Sequence, residues 1–177
     1  MKSKYLKLTA AVIATSMLVA CGGGDNGDAS TGESDNAATE STTPEETVAP
    51  EDLPVAEFTI EANDAMQYNL DKMEVKAGQT VRVTLKNVGS MPVEQMGHNW
   101  TLLNSGVDPN TYGGAAIQHK DEGFQVPGTD DVIVNTSMLG PGQEETVEFT
   151  APSTGIYKYI CTFPGHYSAM KGTFLVR

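Results

Sequence analysis

From Val55 onward, apolar and polar side chains alternate with a period of two, in short runs ended by Gly, Pro, Asn and Ser. A chain patterned in this way can cover one face of a sheet but not one stripe of a helix. The clearest runs are Phe58 to Glu61, Val81 to Lys86, Thr146 to Phe149 and Ile156 to Ile160. Turn residues separate them at Ala77-Gly78-Gln79, Asn87-Val88-Gly89-Ser90, Leu139-Gly140-Pro141-Gly142 and Ala151 to Gly155. With Lys72 to Val75, His98 to Leu103, Asp131 to Ser137 and Gly172 to Val176 added, the pattern predicts about eight short strands and an all-β, Greek-key sandwich. Asn104 to Pro127 alternates little. A long structureless connection is uncommon in a compact domain, so this stretch is expected to pack on the sandwich as a flap with a short helix near Thr111 to Lys120.

The charge distribution divides the 177 residues into three. Residues 1–20 hold Lys2, Lys4 and Lys7 and no acid, residues 22–53 hold nine acids and no base, and residues 54–177 hold fourteen acids against eight bases. Neither of the last two segments offers the basic stripe that displaces counterions from phosphates, so no nucleic-acid partner is expected. Only residues 54–177 have the composition to bury a core, which is enough for one domain and disfavours a multi-domain enzyme.

The first segment reads as a signal peptide: a lysine-bearing start, then an apolar run from Leu8 to Ala20 too short to span a bilayer. It ends in Leu18-Val19-Ala20-Cys21, which resembles the bacterial lipobox. That resemblance implies cleavage before Cys21, acylation of its sulfur, and a lipid anchor outside the cytoplasm, on the periplasmic or cell-surface side. More than one acyl chain anchors a protein stably without a spanning helix. Gly22, in place of Asp, leaves an outer-membrane destination open. Residues 21–53 combine nine carboxylates with Gly, Ser and Thr and almost no large apolar side chain, so burial cannot offset chain entropy and a disordered tether is expected. A flexible coil of this length reaches about 30 Å.

With Cys21 acylated, Cys161 is left without a disulfide partner, which in an exported protein points to intermolecular pairing, reactivity or a metal. The loop Cys161 to Met170 also supplies His166 and Met170. Thiolate, imidazole and thioether together select a soft or borderline ion, and two imidazoles, a thiolate and a weak axial thioether are the blue-copper set. The second imidazole is best supplied by His98, directly after Gly97. A Cys161–His166 nucleophile pair is the alternative, but it leaves His98, Met170 and the sandwich without a role.

Met96-Gly97-His98-Asn99-Trp100 and Cys161-Thr162-Phe163-Pro164-Gly165-His166, with Met170, resemble the copper motifs of the azurin family of cupredoxins, among which are the membrane-tethered auracyanins. The likeness covers most of residues 55–177. It implies a cupredoxin-like sandwich holding one type 1 copper, with His98, Cys161 and His166 as equatorial ligands, Met170 as the distant axial ligand and the Gly97 carbonyl as a fifth contact. It also implies that the Asn99 side chain ties the two ligand loops together and that backbone N–H groups near Asn99 and Phe163 donate to the Cys161 sulfur. The five-residue step from Cys161 to His166 fits azurin better than plastocyanin. The disulfide usual in azurins has no counterpart, which brings the chain closer to auracyanin.

Three function classes follow. A one-electron carrier, not an enzyme, comes first, exchanging electrons with a redox donor and acceptor among membrane-bound complexes or cytochromes. A copper enzyme would need more histidines than His98, His119 and His166, and His119, beside Lys120 and Asp121, reads as a solvated side chain. A copper-holding or copper-sensing lipoprotein is the remaining alternative. Met96 and Pro164, flanking the histidine motifs, are expected to form an apolar docking patch around an exposed edge of His166; Trp100 and the Phe163 ring are expected to pack.

Overall fold

The computed structural model describes residues 53–177, with Ala49. The segments read as signal and tether lie, but for Ala49 and Leu53, outside the described residues. The strands are β1 Ala56–Asn63, β2 Gln67–Tyr68, β3 Lys72–Val75, β4 Thr80–Asn87, β5 Thr101–Leu103, β6 Val132–Asn135, β7 Glu144–Thr150, β8 Gly155–Ile160 and β9 Lys171–Val176, with helices α1 Val93–Met96 and α2 Pro109–Ala116. They form two facing sheets, ordered β2-β1-β4-β7 and β3-β9-β8-β5-β6. Both are mixed: β1 runs parallel to β4 and β3 parallel to β9, while the other pairs are antiparallel. This is the expected Greek-key sandwich with its flap.

Alternation does the sorting. In β4, Val81, Val83, Leu85 and Asn87 point inward and their neighbours outward. Ile60, Ala62, Trp100, Leu102, Tyr159, Phe174 and Val176 meet them to make the core. The outward side of the first sheet is charged, with Arg82 held between Glu57 and Glu148. These exposed pairs add little stability but keep the sheet face polar.

β5 breaks the alternation because it is covered on both sides: Thr101, Leu102 and Leu103 are all buried. Leu102 faces the main core, whereas Leu103 packs with Ile160, Tyr112 and Ala116 in a second cluster beneath the flap. The strand expected over His98 to Leu103 is therefore shorter; His98 keeps only an isolated bridge to Leu139. The flap helix starts two residues before the expected Thr111, since the Asp108 carboxylate accepts from the Thr111 N–H at 2.8 Å and Pro109 supplies a preset first turn. It stops at Ala116, short of the expected Lys120, and a 3-10 turn, Lys120–Glu122, follows. β2, a two-residue strand too short to show alternation, is reached through a turn in which the Asn63 side chain accepts from the Ala65 N–H at 2.9 Å and Met66 has φ of 56°. α1, a single turn, is likewise too short to show periodicity.

Candidate metal centre

α1 hands the chain to His98. Gly97 between them is buried so closely that a Cβ there would lie 2.7 Å from the Val93 carbonyl oxygen and 3.0 Å from the Met138 sulfur. The His98 backbone is then clamped to Leu139, donating to its carbonyl at 3.1 Å and accepting from its N–H at 2.8 Å. The Leu139 carbonyl takes a second bond from the Asn87 side chain at 3.0 Å.

The other ligand stretch joins β8 to β9, whose last register pair is Ile160 with Lys171. The loop closes on itself: the Cys161 N–H donates to the Met170 carbonyl at 3.0 Å, the Met170 N–H to the His166 carbonyl at 2.7 Å, and the His166 N–H to the Phe163 carbonyl at 2.9 Å. Gly165, at φ of 84°, supplies the left-handed residue that turns the chain into His166.

Together these segments bring one ring nitrogen of His98, the Cys161 sulfur and one ring nitrogen of His166 within 4.8 Å of one another, all buried. The Cys161 sulfur lies 3.6 Å from His166 Nδ1, and the two imidazole rings are 5.0 Å apart. Neither His98 ring nitrogen has a hydrogen-bond partner. A buried donor set without partners is costly unless something accepts its lone pairs. Burial lowers the pKa of both histidines, that of His166 to about 4 with help from the neighbouring His98; for His98 the nearby Asn63 carbonyl and the Asp64 charge oppose the shift without forming a hydrogen bond in good geometry. Both rings are thus neutral at pH 7, as metal ligation requires. Burial also pushes the Cys161 thiol up to about 11, against the opposing Asn99 and Phe163 backbone N–H groups and the Tyr68 hydroxyl. A buried thiol with a raised pKa is a poor nucleophile, whereas a bound metal ion deprotonates it outright. The donor set therefore fits a metal and argues against the Cys–His nucleophile.

Met170 is buried in the same apolar cluster as Cys161. Asn99 and Thr162 pair reciprocally: the Asn99 amide donates to the Thr162 hydroxyl at 2.7 Å, and the Thr162 N–H donates to the Asn99 side-chain oxygen at 2.8 Å. Two hydrogen bonds thus join the two ligand loops. Phe163 is half-buried with its ring 4.6 Å from the His166 ring, and Phe124 of the flap meets Phe163 edge-on at 5.6 Å. Met96 and Pro164 are half-buried.

His166 differs from expectation: its relative exposure is 2 %. The closed turn and the Phe163 ring cover it, so the apolar surface beside the ligand consists of its neighbours. Trp100 is a core residue, as expected, packed 5.7 Å from Tyr159. His119 stands apart from the donor group, with Nδ1 3.8 Å from Glu122.

Three residues around the centre escape sequence reasoning. Thr162 sits inside a motif but is recognisable only from its pairing with Asn99. Gln125 donates to Thr101 at 3.0 Å and to Thr162 at 3.2 Å while accepting from the Tyr112 hydroxyl at 3.0 Å, so it ties the flap to the ligand loop. The Tyr68 hydroxyl donates to the Asn99 carbonyl.

Residues 55–177 match the family described as copper binding proteins, plastocyanin/azurin family. Azurin of Achromobacter denitrificans is 38% identical over 121 residues, 66% of this chain and 81% of that protein. Auracyanin-B of Chloroflexus aurantiacus is 37% identical over 118 residues, 65% of this chain and 49% of that protein. The crystal structure of dithionite-reduced auracyanin from the photosynthetic bacterium Roseiflexus castenholzii superposes with a TM-score of 0.63 at 33% identity, covering 69% of this chain and 97% of that one. The convergent His98, Cys161 and His166 supply the donors such proteins need, and the chain belongs to the plastocyanin/azurin family of copper-binding proteins, as an azurin- and auracyanin-like cupredoxin with copper as its cofactor.

Proposed function

We propose that this protein is a membrane-tethered one-electron carrier, not an enzyme, lipidated on Cys21 and working outside the cytoplasm. The observation that carries the reading is the buried convergence of His98, Cys161 and His166 in a chain of this family. Bound there, copper supplies one-electron chemistry. His98, Cys161 and His166 would hold it, with Met170 and the Gly97 carbonyl as further donors. Two imidazoles and a thiolate with a weak thioether suit Cu(I) and Cu(II) tolerably and neither fully, so little has to move when an electron does. The work of the protein is to keep that compromise rigid: the sheets fix His98 and the ends of the Cys161 to Met170 loop, and the Asn99–Thr162 pair locks one to the other.

Burial of Cys161 and Met170, at 0 % and 1 % exposure, favours a carrier over a copper-holding or copper-sensing lipoprotein, which would present exchangeable sulfurs. No helix among the described residues is long and apolar enough to cross a membrane; in this reading the lipid at Cys21 supplies the membrane association. A long acidic tether then confines the domain near membrane-bound redox complexes or cytochromes without fixing its orientation. Phe163, Pro164 and Met96 offer the apolar surface on which such a donor or acceptor docks.

The test has two parts. Cys21→Ser should move the protein out of the membrane fraction while its copper spectrum stays normal, and Met96→Glu or Pro164→Glu should slow electron exchange with the spectrum intact. Retention of Cys21→Ser in salt-washed membranes would refute the anchor. Parental exchange rates in both patch variants would refute the docking face.

A further inference from the structure

Tyr68 belongs to neither ligand motif, yet it stands at the centre. It lies on β2, in the sheet opposite the one that carries Cys161, and its ring packs into the core 6.0 Å from the Tyr159 ring. Its hydroxyl crosses to the second ligand stretch and donates to the carbonyl of Asn99. That bond completes the anchoring of Asn99. Its side chain holds Thr162, the residue after Cys161, through two hydrogen bonds, and its N–H opposes the upward push of burial on the Cys161 thiol. Two-residue strands rarely hold a side chain in place by themselves. Here the turn before β2 is pinned by Asn63, and the Asn69 side chain accepts from the Glu61 N–H at 2.8 Å just after it.

Hydrogen-bond donors around a ligating cysteine sulfur are among the features that set the potential of a centre of this kind. We propose that Tyr68 tunes the reduction potential of the copper centre, its hydroxyl holding Asn99, and with it the Asn99 N–H, in place beside the Cys161 sulfur, so that the reduced state is favoured. The tie runs between the two sheets, so it couples the ligand loops to a strand that neither motif contains. This inference rests on the copper reading of the same site.

Tyr159 provides an internal control, since it is a buried tyrosine of the same aromatic group whose hydroxyl also donates to a backbone carbonyl, that of Leu70 at 2.8 Å. Tyr68→Phe and Tyr159→Phe should be compared with the parent, each loaded with copper, by redox titration and visible spectroscopy. Tyr68→Phe should bind one copper per chain and stay blue, with a lower midpoint potential and a thiolate-to-copper band displaced to lower energy. Tyr159→Phe should keep the parental potential and band while losing thermal stability. An unchanged potential and band in Tyr68→Phe would overturn the proposal, as would equal displacements in both variants, which would mean general loosening. Loss of copper uptake in Tyr68→Phe would also overturn it, because the hydroxyl would then be needed to assemble the site. A parent that takes up copper without turning blue would sink the copper reading itself, whatever the variants do.

Discussion

His98 and His166 are neutral at pH 7 because burial has removed the water that would solvate a charge on either ring. For His166 the folded pKa of about 4 lies below the unfolded value of 6.5, so between those values the unfolded chain binds more protons. Stability from this group is therefore complete above about pH 6.5 and declines as the pH falls toward 4, by on the order of 3 kcal/mol in the metal-free protein. His98 adds in the same direction. Urea unfolding of metal-free protein at pH 7 and pH 4.5 should show the loss, and equal midpoints would contradict the buried neutral imidazoles. At Met170, the thioether donor proposed above, substitution by Leu should leave copper bound and blue while raising the reduction potential, because loss of a weak donor would disfavour Cu(II); loss of copper would show the thioether to be structurally required. The donors were legible because a soft ion demands sulfur and imidazole at short spacing, and that demand is written into Cys161 to Met170. Tyr68 and Gln125 were not, because a hydrogen bond to a carbonyl or a hydroxyl leaves no trace in spacing.

Among the elements, long strands with one wet face were the most legible: β4 buries every second residue without exception. Where both faces are covered the signal fails, which is why β5 shrinks and its extra burial under the flap shows only in the structure. The start of α2 is set by the Asp108 cap and Pro109 rather than by the apolar pattern from which the helix near Thr111 was expected. Asp108→Ala should cost about 1 kcal/mol of stability by removing the cap, and the spectrum of the copper-loaded protein should not change, since α2 meets the Cys161 loop through the Tyr112–Gln125 tie and the packing of Gly113 on Tyr167, contacts that Asp108 does not make. Calorimetry together with the visible spectrum checks both halves; a displaced band would mean that the flap helps set ligand geometry.

For the whole molecule, a rigid sandwich divides its work between two sheets. One supplies β8 and β9, whose junction carries Cys161, His166 and Met170; the other supplies β4, whose Asn87 braces the Leu139 carbonyl that clamps His98. The fold was legible from alternation and turns alone, whereas the closeness of three donors came from sheet packing, a long-range property that no local pattern contains. This arrangement is proposed to hold one copper and pass one electron at a time. The most direct measurement adds Cu(II) to the reduced protein and follows the visible spectrum through a cycle of reduction and reoxidation, with Cys161→Ser beside it. An intense blue band saturating at one copper per chain, bleached by one electron, restored on reoxidation and absent in Cys161→Ser is expected. A blue Cys161→Ser protein, or a parent whose band fails to form or fails to return after one reducing equivalent, would contradict it.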